Sequence, residues 1–300
     1  MRLPRVGLGT AALGGLFEPV REQDAVATIE RAWERGVRFF DTAPLYGFGR
    51  SEQYLGRVLA DKPRDEYVIS TKVGRLLRAD APPDPGQPFW RGVPALNPVF
   101  DFGADAVLRS LEESLGRLGV DRVDVLHVHD PDDHLDEAIA SAYPVLARLR
   151  DEGVVRAIGV GANRVEPLLR FARETDVDCL LVAGRYTLID RSAASGLLPL
   201  CRERRIDVVA GGTLNSGLLA GGTTFDYLPA GPSVAAAADR VARICERHGV
   251  PLLAAALQFP LREPGVSSVL TGARSTLELD ASLDALEIHV PLDLWQELES

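Results

Sequence analysis

Tyr67-Val68-Ile69-Ser70-Thr71-Lys72 is the stretch on which the reading of this chain turns. Tyrosine, β-branched residues and threonine favour a pleated, half-buried surface, so the run reads as a buried strand. It closes on a lysine, and lysine is rare here. Of 33 basic side chains only Lys62 and Lys72 are lysine. Lys62 lies in Asp61-Lys62-Pro63-Arg64-Asp65, a solvated turn. Lys72 either snorkels its amine to water or needs a buried partner, because an unpaired buried charge is very costly. A compact ammonium also lowers the pKa of an acid placed beside it.

Working outward, similar apolar runs recur from end to end. Strands are predicted over Arg5–Gly9, Val37–Asp41, Tyr67–Lys72, Val123–His129, Ala157–Gly161, Cys179–Ala183, Asp207–Gly211 and Ser268–Thr271. Amphipathic helical patterns lie between them. Asp24–Arg35 puts Ala25, Ile29, Ala32 and Trp33 on one stripe, with Gly36 as its stop. Ser51 is read as the cap of a helix holding Leu55, Val58 and Leu59. Val107 to Leu118 and Ala138 to Leu149 stop at Gly119 and Gly153, a fifth pattern runs over Val165–Ala172, and two more surround Val241 and Leu253–Leu261. Strand–helix alternation argues for parallel strands with crossover helices, and eight repeats in 300 residues match a single-domain (β/α)₈ barrel. The rival is a doubly wound nucleotide fold. Its support is Gly7-Leu8-Gly9-Thr10-Ala11-Ala12, a formal G-x-G-x-x-A, but Gly14, Gly15 and Pro19 follow, so no helix opens where that fingerprint needs one.

Nearly half the residues are apolar and a quarter are charged, as expected of a folded domain. The net charge of −10 opposes binding to nucleic acid or anionic membrane and favours a small-molecule substrate. Cys179, Cys201 and Cys245 are odd in number and scattered, which suits reduced thiols and neither a disulfide framework nor a metal site. No apolar stretch is long enough to span a membrane, and the glycine-rich start is not a signal peptide, so the cytoplasm is the expected compartment. Nothing in the chain specifies an oligomeric state. One connection is unusual. Residues 74–103 hold prolines 82, 83, 85, 88, 94 and 98 together with Phe89, Trp90, Phe100 and Phe102, which reads as a lid after the third strand, with Phe89 and Trp90 as substrate contacts.

Asp41, Lys72 and His129 each end a separate predicted strand, and Tyr46 follows Asp41 on the next loop. Singly they have dull explanations: a turn cap, a strand-end amine, a core histidine, a loop aromatic. In a barrel all of them reach the C-terminal mouth, where active sites sit. There a free phenol is a poor acid or base, an ammonium beside it lowers its pKa, an aspartate holds the ammonium, and a histidine can hydrogen-bond the substrate oxygen. Such a set suits hydride transfer at a carbonyl or carbinol, where charge develops on one oxygen.

The arrangement resembles the aldo-keto reductase family. The matching segments are Gly7–Thr10, Phe40–Gly47, Ser70–Gly74, Arg122–His129, Ile158–Gly161, Leu214–Leu219 and Thr271–Arg274. The resemblance implies a (β/α)₈ barrel with NAD(P)H across its mouth. It implies Tyr46 as proton donor or acceptor, Lys72 and Asp41 as its tuners, and His129 rather than His127 as the group that orients the substrate. It places Gly9, Thr10, Asn163, Tyr186, Leu214, Ser216, Leu218, Gly272, Arg274 and Glu278 at the cofactor. Departures occur where the family's serine, glutamine and stacking aromatic align with Gly161, Ala183 and Gly211 or Gly212; Asn163 and Tyr186 are the substitutes on hand. Gly272 and Glu278 stand where many NADP-dependent relatives carry a lysine and an arginine, which favours NAD over NADP, with Arg274 as the counterargument. Arg185–Asp190 and His129–Asp132 are similar to the subgroup of D-threo-aldose, L-fucose, L-galactose and pyridoxal dehydrogenases. The implied function is NAD(P)-dependent oxidation of an aldose at C1. The alternatives are an NADPH-dependent reductase of small aldehydes or ketones and a non-catalytic cofactor-binding regulatory subunit.

Overall fold

Val6–Gly9 (β1), Phe39–Asp41 (β2), Val68–Val73 (β3), Val125–His129 (β4), Ala157–Ala162 (β5), Cys179–Ala183 (β6), Asp207–Gly211 (β7) and Val266–Gly272 (β8) form the central sheet of the computed structural model. The structure describes residues 3–84 and 86–299, so Pro85 of the predicted lid lies outside it. All neighbouring strands are parallel, and the order β1-β8-β7-β6-β5-β4-β3-β2 closes on itself. The predicted strands match these within a few residues, because buried parallel strands read as apolar runs. The doubly wound alternative is excluded by closure.

Side chains alternate across the barrel wall. Leu8, Phe40, Ile69, Leu126, Val128, Ile158, Val160, Leu180 and Val208 face outward into one core shared with the helices. Phe39, Val125, Ala157, Cys179, Leu181, Val209 and Leu270 fill the barrel interior. This parity makes Asp41, Lys72 and His129 the last inward positions of β2, β3 and β4. On the other five strands the last inward positions are Gly161, Ala183, Gly211, Gly272 and Gly9. One side of the mouth is therefore floored by polar side chains, and the other is nearly bare.

Around the sheet run Glu22–Glu34 (α1), Arg50–Leu59 (α2), Ala104–Leu118 (α3), Tyr143–Asp151 (α4), Val165–Glu174 (α5), Leu197–Arg204 (α6), Pro232–Arg247 (α7), Leu252–Gln258 (α8), Thr276–Glu287 (α9) and Leu292–Glu299 (α10). Gly119 takes φ +64° at the end of α3, as a helix-stopping glycine should. α6, α9 and α10 have no counterpart among the predicted helices. Ser51 does not cap α2: the cap position is Gly49, and the Ser51 hydroxyl instead donates to the Thr10 carbonyl at 2.8 Å. The segment after β3 is not a plain loop. Arg75–Arg78 pairs with Asn97–Phe100 as an antiparallel hairpin. Its tip returns to the loop after β1, where the Phe17 N–H donates to the Phe89 carbonyl and the Arg91 N–H to the Gly15 carbonyl. All three cysteines are free and buried. Among the described residues, no helix is long and apolar enough to cross a membrane and no cluster could hold a metal.

Candidate active site

Lys72 is fully buried and does not snorkel. Its Nζ donates to Asp41 Oδ2 at 2.8 Å and to the Thr42 carbonyl at 2.9 Å. Asp41 Oδ1 accepts from the Ser70 hydroxyl at 2.6 Å, so the carboxylate is held on both oxygens. Thr10 braces the same spot from β1: its N–H and its hydroxyl both donate to the Asp41 carbonyl, at 2.9 and 3.0 Å. Thr10 is fully buried, and its side chain braces β2.

Tyr46 stands over this pair. Lys72 Nζ is 4.6 Å from its ring centroid. His129 meets the ring edge-on with centroids 5.8 Å apart, and Trp90 lies 6.0 Å away on the lid side. The four residues expected to converge are therefore gathered at one place. The expected depression of the Tyr46 pKa is not seen. Burial pushes the phenol well above its ordinary value, Asp41 and Asp130 push it further, and Arg75 opposes them. The physical reason is that Lys72 and Asp41 form a pair of zero net charge, so little of the ammonium field is left to offset desolvation. His129 is held well below the usual histidine range by burial and by Arg75, Lys72 and His127, so its imidazole is neutral. His127, deeper in the barrel and in register with Lys72, is lowered to about 3 by burial and the ammonium. It belongs to the barrel packing: a Cβ on Gly159 would lie 2.8 Å from its Nδ1.

Residues beyond the expected set also reach the mouth. Arg75 Nη2 donates to Asp130 Oδ2 at 2.8 Å, and that oxygen lies 3.5 Å from His129 Nε2. Tyr227 tips a second small hairpin, Thr224–Phe225 with Leu228–Pro229, and stacks on Phe89 at 5.3 Å. Burial raises its phenol, which also feels Asp130, Tyr46 and a hydrogen bond with Asn163. Nothing local in the sequence marks Tyr227, since its place depends on two long loops meeting. Asp130 was visible only as the neighbour of His129.

The bare side of the mouth suits a flat ring. A Cβ on Gly9 or Gly272 would come no closer than 3.7 Å to another heavy atom, so these glycines leave open floor. Beyond β7, Asn215, Ser216 and Gly217 take successive positive φ values of 47°, 58° and 95°. Ser216 Oγ accepts from the Tyr227 N–H at 3.1 Å, which leaves its own proton to donate. Leu214 and Leu218 pack beneath this turn against the core of α7 and α8. The Ser216 hydroxyl, with its proton free to donate, suits an anion such as a phosphate. These features fit a dinucleotide. Past β8, Arg274 is held by Glu18 at 2.9 Å and Glu278 at 3.1 Å. The half-buried Tyr186 ring packs on Phe259, with centroids 5.1 Å apart.

Comparison with known proteins agrees with this geometry. The profile of the Aldo/keto reductase family matches residues 5–300. The chain is 42% identical to a D-threo-aldose 1-dehydrogenase of a Pseudomonas species, covering 99% of this chain and 94% of that one. It is 39% identical to a pyridoxal 4-dehydrogenase of Microbacterium luteolum, covering 98% and 93%. Among solved structures, a glycerol dehydrogenase of Gluconobacter oxydans superposes with a TM-score of 0.77 at 26% identity, covering 99% and 90%. The barrel, the residues gathered at its mouth and these similarities lead to one conclusion: the chain is an oxidoreductase of the aldo/keto reductase family.

Proposed function

We propose that the protein is an NAD-preferring aldose 1-dehydrogenase with Tyr46 as the proton-transfer group. The observation that carries the reading is the buried Lys72–Asp41 pair directly beneath the Tyr46 ring, 4.6 Å from Nζ to the ring centroid. A buried ion pair set against a titratable phenol at the mouth of the barrel is a mark of a reacting site. The sugar substrate class rests on the 42% identity to a D-threo-aldose 1-dehydrogenase.

A nicotinamide dinucleotide, when bound, supplies the hydride acceptor. Gly9, Gly161, Gly211 and Gly272 would hold its flat end, and the turn at Asn215–Gly217 its phosphates. The chain's own residues manage the proton. The C1 hydroxyl of the sugar donates to Tyr46 in its phenolate form, which has first lost its own proton to solvent, and the phenolate oxygen takes the sugar proton as the C1–H bond breaks. Lys72 stabilises the phenolate that must form before the sugar proton is taken, while Asp41 keeps the ammonium in place. Neutral His129 hydrogen-bonds the same sugar oxygen and fixes the angle at C1. Trp90 and Phe89 close the pocket as a lid and exclude water, with Trp90 anchored through its Nε1 to Gln87 Oε1 at 3.1 Å.

For the cofactor, Glu278 and Glu18 favour a free ribose hydroxyl. Both carboxylates occupy Arg274, which would otherwise attract a 2′-phosphate. Three reduced, buried thiols suit the cytoplasm. The test is a panel of aldoses with NAD⁺ and NADP⁺, run beside Tyr46→Phe. We expect turnover of at least one aldose with NAD⁺, lowered about 10²–10⁴-fold by Tyr46→Phe with the fold intact. Wild-type turnover in Tyr46→Phe would remove the catalytic assignment. Turnover confined to small aldehydes with NADPH would favour the reductase reading.

A further inference from the structure

Two charged groups outside the expected set, Arg75 and Asp130, meet His129 at one oxygen atom. Asp130 Oδ2 accepts from Arg75 Nη2 at 2.8 Å and lies 3.5 Å from His129 Nε2. The other ring nitrogen, His129 Nδ1, is buried with no hydrogen-bond partner. The mouth needs a group at a set angle here, and the backbone shows what holds it. Asp130 takes φ +41°, a left-handed conformation that costs a non-glycine residue energy and persists only where its surroundings impose it. Its N–H donates to the Gly161 carbonyl at 2.9 Å, which ties it to β5. Arg75 is equally constrained. It pairs in register with Phe100 at the root of the lid hairpin, and its guanidinium lies 4.4 Å over the Phe100 ring. Nε and Nη1 of Arg75 are buried without oxygen acceptors, so Asp130 is its one carboxylate partner among the described residues.

A neutral imidazole carries one proton on one of two nitrogens, and the hydrogen bond made by the ring decides which. At 3.5 Å the Asp130 carboxylate makes no full hydrogen bond with Nε2, but its charge favours the form protonated there and leaves that N–H free to turn to a substrate. No acceptor meets Nδ1, so nothing stabilises the other form. The charged or titratable groups around the ring are Arg75, Lys72 and His127, which all disfavour a second proton, together with Asp130 and the edge-on Tyr46. We propose that Asp130, anchored by Arg75, is a positioning residue that keeps the proton of His129 on Nε2, so that this ring presents an N–H donor to the substrate oxygen. Arg75 supplies the anchor, and through its pairing with Phe100 it links the root of the lid to the imidazole. The inference rests on His129 being the substrate-orienting group of the proposed reaction.

The experiment is ¹⁵N-histidine NMR on the full-length protein, with the His129 resonances among the five histidines assigned by their loss in His129→Gln. Wild type should show His129 as the Nε2–H tautomer throughout the neutral pH range. In Asp130→Asn the oxygen that meets both Arg75 and Nε2 becomes a neutral amide oxygen, so the anionic hold on the Nε2 proton is lost and the Nδ1–H form gains population. Turnover number should fall roughly tenfold to a hundredfold while KM for the nucleotide is unchanged. A merely structural ion pair would lower the melting temperature and leave the tautomer alone. Arg75→Lys, which keeps a cation for Asp130, should retain the Nε2–H form. An Nδ1–H tautomer or an imidazolium in wild type at neutral pH overturns the proposal, whether or not Asp130→Asn folds. So does an Nε2–H population unchanged from wild type in a folded Asp130→Asn. If the tautomer switches as expected but wild type turns over no sugar or carbonyl, the proposed function fails and the positioning role stands.

Discussion

Removing the ammonium from Lys72 is the sharpest perturbation of this site. In Lys72→Met the side chain keeps its bulk while Asp41 keeps only its hydrogen bond from Ser70. At 2.8 Å and an effective dielectric of about 20, the lost attraction is about 6 kcal/mol. Both side chains are buried, at 1% and 3% exposure, so solvent screens little of it. Desolvation of two ions offsets part of the attraction, and breaking such a buried pair from one side typically costs about 3–5 kcal/mol. For a domain of this size that lowers the melting temperature by roughly 6–10 °C, near 2 °C per kcal/mol. Asp41→Asn should cost about as much, since it leaves a buried ammonium with only the Thr42 carbonyl. The double variant leaves no unpaired charge and should be no less stable than the worse single. Denaturant unfolding of the four proteins, followed by fluorescence of Trp33, Trp90 and Trp295, measures the cycle. Each single change should also cost about 10²-fold or more in turnover. If the two stability losses simply add, within about 0.5 kcal/mol, the residues are independent and the reasoning about a coupled pair beneath Tyr46 is refuted.

Other outcomes follow from the same geometry. Because burial, Asp41 and Asp130 hold the Tyr46 phenol up, nucleotide-free wild type and Tyr46→Phe should have the same ultraviolet tyrosinate titration below pH about 10. The sign is fixed by desolvation of the phenolate, and an additional phenol ionising near neutrality in wild type would contradict it. Freeing Arg274 with Glu18→Gln and Glu278→Gln should raise the NADP⁺/NAD⁺ ratio of kcat/KM by about tenfold or more, the worth of one hydrogen bond to a charged group. An unchanged ratio would place the 2′-phosphate elsewhere. Gly159→Ala would put a Cβ 2.1 Å from the Cys179 carbonyl inside the barrel wall, where backbone cannot yield. Guanidinium unfolding should register a loss of about 1–3 kcal/mol or more, and a neutral result would mean β5 and β6 are looser than they are drawn here.

The barrel and the polar side chains at its mouth were legible early because they depend on local pattern. A buried parallel strand is a run of apolar residues whatever its neighbours, so the eight runs could be read one at a time. Asp41, Lys72 and His129 stood out because charge or imidazole closed such runs. Only Lys72 among them carried a compositional signal. Errors gathered where a residue's role depends on something distant. Ser51 has the chemistry of a cap, yet its hydroxyl is taken by Thr10, forty-one residues earlier. The phenol pKa was misjudged because the field of Lys72 was counted without the charge of Asp41, and the sum depends on where both lie.

Periodicity and residue chemistry alone therefore determine that this chain makes parallel strands with polar groups at their carboxyl ends, because those properties belong to short segments. Barrel closure decides the rest. It turns the last inward residues into one floor, polar from β2 to β4 and nearly bare from β5 round to β1. It brings Arg75 from the lid onto Asp130, and it sets Tyr227 against Phe89 over the mouth. Such contacts join residues many positions apart, and their energies exist only once the ring of strands has drawn them within a few ångströms.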